Sequence, residues 1–173
     1  MLVQLKDIIN LYDNKRKPIS KINRLKMNKV FPYYGANGII DYVDDYIFIG
    51  DYILLGEDGT VSTQDGKPIL ILTKPNEKFW VSNHAHVIKP KTTNIKYLYY
   101  LLQSTDITNI ITGAVQPKIN QENLLNLSVN IHKTLEEQLH IVDIIIIFLF
   151  LLLYHFHLQE FLYIYHDSKI LYY

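Results

Sequence analysis

Residues Phe31–Gly59, FPYYGANGIIDYVDDYIFIGDYILLGEDG, set short β-branched and aromatic runs between turn-forming residues, and the fold class follows from reading them. Pro32 and Gly35 punctuate a tyrosine-rich start. Asn37-Gly38 is a tight-turn dipeptide whose two residues tolerate φ > 0. The runs Gly38–Val43, Tyr46–Ile49 and Tyr52–Leu55 have strand composition and are broken by Asp44-Asp45 and Gly50-Asp51, which predicts a meander closed by the Asp58-Gly59 turn. The expected product is a rigid β platform carrying several short exposed loops.

Downstream, Val61–Thr63, Pro68–Thr73 and Phe79–Lys89 read as further strands, separated by Gln64-Asp65-Gly66 and Pro75-Asn76, so the predicted sheet is large. Upstream, Leu2–Asn10 reads as a short strand or a helix docked on the core. Asn94 caps an amphipathic helix over Asn94–Gln103, and Thr105–Ile111 adds a shorter helical turn. Gly113 permits an unusual backbone, Pro117 blocks a regular ladder, and Asn120 caps a helix over Gln121–Asn126. A last strand, Leu127–Ile131, precedes the capping box of Thr134 and Glu137. From there a helix is predicted through about Tyr154, with Leu135, Leu139 and Val142 on one stripe. The fold class is therefore α+β, with a recognition core over residues 1–133 and a helical segment over residues 134–173.

A chain of 173 residues, 49% hydrophobic, suits one well-buried domain plus an appendage. Cysteine is absent, which excludes disulfides and thiolate zinc sites. MLVQLKDIIN carries charge inside its apolar run and no cleavage site, so a signal peptide is not expected and a cytoplasmic location is. Net charge is zero, but it is segregated along the chain. Met1–Ile40 holds Lys6, Lys15, Arg16, Lys17, Lys21, Arg24, Lys26 and Lys29 against Asp7 and Asp13. Asp41–Asp58 holds Asp41, Asp44, Asp45, Asp51, Glu57 and Asp58 with no base. A phosphate-facing surface is thus expected on the N-terminal segment, NKRKPISKINRLKMNK, which is too poor in regularly spaced apolar residues to bury itself.

Catalytic signatures are missing. Gly66-Lys67 fails the phosphate-loop pattern, because Val61 stands where its first glycine belongs and Pro68 follows the lysine. No Asn/Asp-Pro-Pro-aromatic methyltransferase motif, G-x-G-x-x-G or nucleophile elbow occurs. His84 and His86 are expected on one face of a strand, able to approach one metal, but no third ligand lies nearby. A pair of packed or hydrogen-bonded histidines is the simpler reading. The Asp41–Asp58 acids are read as turn-forming and solvated rather than as a Mg²⁺ site. No catalytic residue and no metal ligand is assigned.

The ordered set YYGANGIIDYV (33–43), GEDG (56–59), NHAHV (83–87), YLYYLLQ (97–103), GAVQPKIN (113–120) and EEQ-x-x-IV (136–142) resembles the target-recognition domain of type I restriction-modification specificity (S) subunits. The resemblance runs over residues 1 to about 143. It implies a twisted mixed β-sheet domain that reads double-stranded DNA without catalysing anything, followed by a helical arm that docks methyltransferase subunits. This chain itself would bind no cofactor. The methyltransferase (M) and restriction (R) subunits would use S-adenosylmethionine, ATP and Mg²⁺. On that reading Lys15, Arg16, Lys17, Arg24, Lys26 and Lys29 neutralise phosphates, while Tyr33, Tyr34, Asn37, Gln116, Lys118 and Asn120 face base edges. A structural role for Gln116, Lys118 and Asn120, bracing their loop, is the alternative.

Two departures limit that reading. The family's full subunit has two recognition domains and two arms; this chain has one of each, as expected of a half-subunit that pairs with a second copy or another S chain, or of a truncated product. Beyond Val142 the run IIIIFLFLLL replaces a charged amphipathic arm, as in a degenerate end. The competing reading is a membrane anchor over residues 144–165, but the uninterrupted run is about half of the roughly 20 residues a spanning helix needs. No membrane partner is expected.

Overall fold

The computed structural model describes residues 1–170, with side chains through Gln159. It divides into two units, Met1–Lys133 and Thr134–Tyr173.

The first unit opens with β1 (Leu2–Gln4), α1 (Leu5–Ile8) and β2 (Ile9–Leu11), so the stretch read as strand or helix is both in succession. A single 3₁₀ turn at Asp13–Lys15 and α2 (Lys21–Arg24), capped by Ser20 Oγ accepting from Asn23 N at 3.2 Å, break up the basic segment. Then come β3 (Phe31–Gly35), β4 (Gly38–Val43), β5 (Phe48–Ile49), β6 (Ile53–Gly56), β7 (Leu70–Leu72), β8 (Lys78–Val81) and β9 (Ala85–Pro90). The unit finishes with α3 (Ile95–Ser104), a 3₁₀ turn at Thr108–Ile110, α4 (Gln121–Leu125) and β10 (Ser128–Asn130). Asn94 and Asn120 cap α3 and α4 through their side-chain oxygens.

Among the described residues the strands form three sheets. β4-β3-β8-β5 is mixed, with β3 and β8 parallel; β2-β9-β6-β7 is antiparallel; β1 and β10 pair antiparallel. The meander expected over Gly38–Leu55 does not form, because β4, β5 and β6 have no ladder with one another. Composition explains the reassignment. Ile53, Leu54 and Leu55 are buried on both faces, so β6 takes a central place between β7 and β9, whereas β4, with Ile39, Ile40 and Tyr42 exposed, takes an edge. The tight turn sits one residue earlier than expected: Gly35 pairs with Gly38 across Ala36-Asn37, and the positive φ (141°) belongs to Gly38 rather than to Asn37. Val61–Thr63 forms only an isolated bridge, Ser62 to Pro68, and Phe79–Lys89 is two strands parted by a turn at Ser82–His84.

Tyr34, Phe48, Leu54, Phe79, Val81, Ala85 and Val87 make the core between the two larger sheets, with Phe48 and Phe79 stacked at 5.4 Å. Each large apolar side chain there contributes about 1.5–3 kcal/mol by leaving water. The ends of the unit are tied together, the Met1 amino group donating to Ile131 O at 2.7 Å and Leu5 N to Leu127 O at 2.9 Å.

The second unit is one helix, α5 (Leu135–Ile170), which continues past the expected end at Tyr154. Thr134 and Glu137 form its capping box, Glu137 N donating to Thr134 Oγ1 at 3.1 Å and Thr134 N to the Glu137 carboxylate at 3.0 Å. Residues Leu135–Gln159 are long and apolar enough to cross a membrane by length and composition. That stretch is longer than the ten-residue run suggests, since His155, His157 and Gln159 interrupt the apolar run without ending the helix.

Candidate nucleic-acid interface

The N-terminal basic segment and the acids after it, set apart along the chain, meet in space. Arg16 reaches inward, its side chain 10% exposed, and pairs with Glu57 at 2.6 Å and Asp13 at 3.4 Å while donating to Ala85 O at 2.7 Å. Arg24 pairs with Asp41 at 2.9 Å, lies over the Tyr33 ring at 4.7 Å and donates to Ile19 O. Lys29 also reaches Asp41, at 2.8 Å. The Lys29, Tyr42 N–H and Arg24 donors hold the Asp41 carboxyl well below the usual carboxylate range.

These contacts correct part of the expected phosphate surface. Arg16, Arg24 and Lys29 are committed to carboxylates of their own chain, and Lys15 lies over the Tyr12 ring at 5.1 Å. Lys17 and Lys26 remain exposed and form no ion pair among the described residues, and so does Lys21, which the sequence-based assignment leaves out. The base-facing assignment changes too. Tyr33 is 1% exposed and its hydroxyl accepts from Ile19 N at 3.0 Å; Tyr34 is buried and donates to Glu77 at 2.7 Å. Both hydroxyls are thus engaged within the fold. Burial, with the hydrogen bond and charge of Glu77, pushes the Tyr34 phenol up. Asn37 is exposed at the β3–β4 turn; with its amide nitrogen facing the neighbouring carbonyls it donates to Thr60 O at 2.7 Å and Ala36 O at 3.1 Å. Asn120 caps α4, accepting from Asn123 N at 2.7 Å. Gln116 is exposed, and Lys118 is half-exposed with its ammonium 3.2 Å from Glu57.

Below this surface lies a buried polar network. His86, fully buried, has Nδ1 2.6 Å from Asp13 Oδ2 and Nε2 2.8 Å from Ile119 O. Both ring nitrogens thus face acceptors, an arrangement that only the doubly protonated ring satisfies in full. Gln121 Nε2 and Val87 N also donate to Asp13, at 2.9 Å each. Burial alone pushes the Asp13 carboxyl up, but His86, Val87 N–H and Arg16 outweigh it and hold it below its ordinary value. Asp13, Glu57 and His86 place ligand atoms within 4.8 Å of one another. The Arg16 guanidinium sits among the two carboxylates and supplies the positive charge a metal would otherwise bring. His84 and His86 do not share a strand face: His84 lies in the turn before β9, with Nδ1 2.8 Å from Asp58 Oδ1.

Around the network, short loops converge. Glu57 N donates to His84 O at 2.9 Å, Ile119 N to Glu57 O at 2.8 Å and Gly59 N to Pro117 O at 3.0 Å. Thr112 and Lys118 exchange backbone hydrogen bonds at 2.8 and 2.7 Å, closing the loop that carries Gln116. Gly113 makes that loop feasible: its φ is 86°, and a Cβ there would lie 2.3 Å from Gln116 O. Beside these loops a groove of about 510 Å³ runs between the Pro18–Lys21 loop and the Ser82–His84 turn, with Arg24, Tyr33 and Ile40 also lining it. A cleft lined by Lys21 and Arg24 and by the polar side chains of Ser20, Ser82 and Asn83 suits an anionic ligand with hydrogen-bonding edges.

A family model for the type I restriction modification DNA specificity domain matches residues 1–162. The chain belongs to that family. The match runs beyond Val142, where the motif resemblance stops, and takes in most of the described part of α5, so the helix is part of the family's pattern and the membrane reading has no support. A type I restriction enzyme specificity subunit of Haemophilus influenzae is 32% identical over 142 residues, 82% of this chain and 35% of that protein. The EcoprrI specificity subunit of Escherichia coli is 22% identical over 125 residues, 72% of this chain and 29% of that protein. The chain spans about a third of the length of these curated relatives. The fold is also that of the S subunit from M. genitalium: TM-score 0.68 at 14% identity, covering 86% of this chain and 38% of the other. The family match makes the chain a DNA specificity domain, and its fold is of the α+β class.

Proposed function

We propose that this chain reads a specific sequence in double-stranded DNA as the recognition part of a type I restriction-modification complex in the cytoplasm. Partner M and R subunits carry out adenine methylation and cleavage with S-adenosylmethionine, ATP and Mg²⁺, and the chain itself binds no cofactor. Membership of the DNA specificity domain family carries the reading. The exposed lysines at positions 17, 21 and 26, the second of which lines the groove, support it. α5 serves as the docking arm. Its exposed Leu149, Leu151, Leu153 and Phe156 need cover, and a second copy or another S chain supplies it, which yields two half-sites.

Co-expression with a cognate M subunit, affinity capture and mapping of methylated adenines test the proposal. One methylated motif that disappears when this chain is omitted is the expected result. Methyl transfer by the purified chain alone, or an M subunit that methylates the same motif without it, contradicts it. Removal of residues 143–173 is expected to abolish capture of the M subunit; capture by a soluble truncated monomer contradicts the docking role.

A further inference from the structure

The helical turn α2 and the residues on either side of it, SKINRLKM (20–27), lie outside the motifs that carry the family resemblance, and they present two faces. Backbone hydrogen bonds from Arg24 N to Ser20 O, Leu25 N to Lys21 O, Lys26 N to Asn23 O and Met27 N to Arg24 O, at 3.0 to 3.2 Å, carry the winding on to Met27. The inner face is Arg24 and Met27, both partly buried and three residues apart. Arg24 anchors it through Asp41, the Tyr33 ring and Ile19 O. Ser20 caps the near end, and Lys29 holds the far one, its ammonium donating to Arg24 O at 2.7 Å and Tyr42 O at 3.1 Å. A helix this short does not hold in water by itself, so these anchors fix it beside β4. The outer face is Lys21, Ile22, Leu25 and Lys26, at i, i+1, i+4 and i+5. All four stand in solvent, Ile22 69% and Leu25 70% exposed.

We infer that Ile22 and Leu25 are specificity-determining residues that contact thymine methyl groups in the major groove of duplex DNA, with Lys21 and Lys26 on the flanking phosphates. The inference rests on the DNA-recognition reading above and deepens it. Charge decides the occupant. The two aliphatic side chains stand between two ammonium groups that form no ion pair among the described residues, and no acid occurs in the sequence between Asp13 and Asp41. An apolar protein face would strip water from both ammonium groups and give nothing back, whereas a DNA groove sets its base edges between two rows of phosphates. Thymine alone among the four bases puts a methyl group into the major groove, which is about 12 Å wide and admits a helix; the minor groove, about 6 Å wide, does not. Apolar contact therefore discriminates between bases, and the lysines add attraction that is the same for every sequence. A turn anchored at both ends is the preorganisation such discrimination needs.

Selection of bound sequences from a pool of randomised duplexes with the full chain supplies the motif. Duplexes of that motif with single thymine-to-deoxyuridine replacements, which delete only the C5 methyl, are then titrated against the wild type and its Ile22→Ala, Leu25→Ala and Lys21→Ala variants. Loss of one buried methyl should weaken wild-type binding about 4-fold at one or two thymines. In Ile22→Ala and in Leu25→Ala the penalty at one of those thymines should vanish, while Ile22→Val and Leu25→Met, which keep an apolar contact, should retain it. Lys21→Ala should weaken binding to all duplexes and keep every penalty. Circular dichroism confirms that each variant is folded. Absence of any deoxyuridine penalty in a selective wild type, or the same penalties in the wild type and both alanine variants, overturns this inference alone. So does an Ile22→Ala, Leu25→Ala double variant that keeps the wild-type penalties and loses capture of the M subunit, the mark of a protein-docking face. Failure of the wild type to select any sequence overturns the recognition reading with it.

Discussion

At the inner end of the basic segment, Asp13 and Arg16 are packed around His86 with scarcely any exposure; only a few residues on, Lys17, Lys21 and Lys26 stand in solvent without an ion pair among the described residues. The basic residues of the two regions look alike in the sequence and do opposite work. A guanidinium offers several donors in a planar fork, so Arg16 can satisfy Asp13, Glu57 and the Ala85 carbonyl at once, which an ammonium cannot match geometrically. Lysine keeps its head group in water and its charge available to a partner. Buried arginine here organises loops, and exposed lysine is the group proposed to meet phosphate.

The strongest way to sharpen that contrast is Asp13→Ala. It leaves the buried His86 without its carboxylate and Arg16 with Glu57 alone, and a loss of about 3–5 kcal/mol in urea unfolding is expected. A loss under about 1 kcal/mol means the network is not a buried unit. Gly113→Ala comes next, because the positive φ and the close Gln116 carbonyl forbid a Cβ; a cost of about 1–3 kcal/mol is expected, with a matching rise in proteolysis of the 112–118 loop.

Acid titration separates the regions further. Because the folded Asp13 carboxyl lies below its ordinary value of 3.8, the stability it contributes is fully present above that value and is lost as the pH falls through the lower folded one. Asp13→Asn should therefore flatten the acid limb of the unfolding curve, and the Lys17→Ala, Lys21→Ala, Lys26→Ala variant should leave it unchanged. The smallest effect is expected of Tyr34→Phe, which removes one hydrogen bond to Glu77 at a cost of about 1 kcal/mol. It should leave duplex binding unaltered, and reduced affinity in a folded Tyr34→Phe protein would put that buried ring back in the interface.

The helices of the first unit are legible in the sequence where a local signal marks them: Asn94 and Asn120 announce their caps. The strands are legible as runs, but not their partners. β6 seeks two neighbours because Ile53, Leu54 and Leu55 are apolar on both faces, and those neighbours come from residues 70–72 and 85–90, at separations that local turn residues do not encode. The interface suffers from the same blindness to long range. Charge counting finds Lys17 and Lys26, but it cannot tell them from Arg16 and Arg24, whose partners Glu57 and Asp41 lie 41 and 17 residues away. The turn at Ser82–His84 is obscured by continuous strand composition on either side. The signal available is the polar Ser82-Asn83 pair between two apolar runs.

The salt dependence of duplex binding tests the division of labour most directly. Removing three phosphate-neutralising ammonium groups in the Lys17→Ala, Lys21→Ala, Lys26→Ala variant should flatten the slope of log affinity against log salt concentration by about 2.7, with urea stability kept. An unchanged slope in the folded variant contradicts the assignment of phosphate binding to the free lysines.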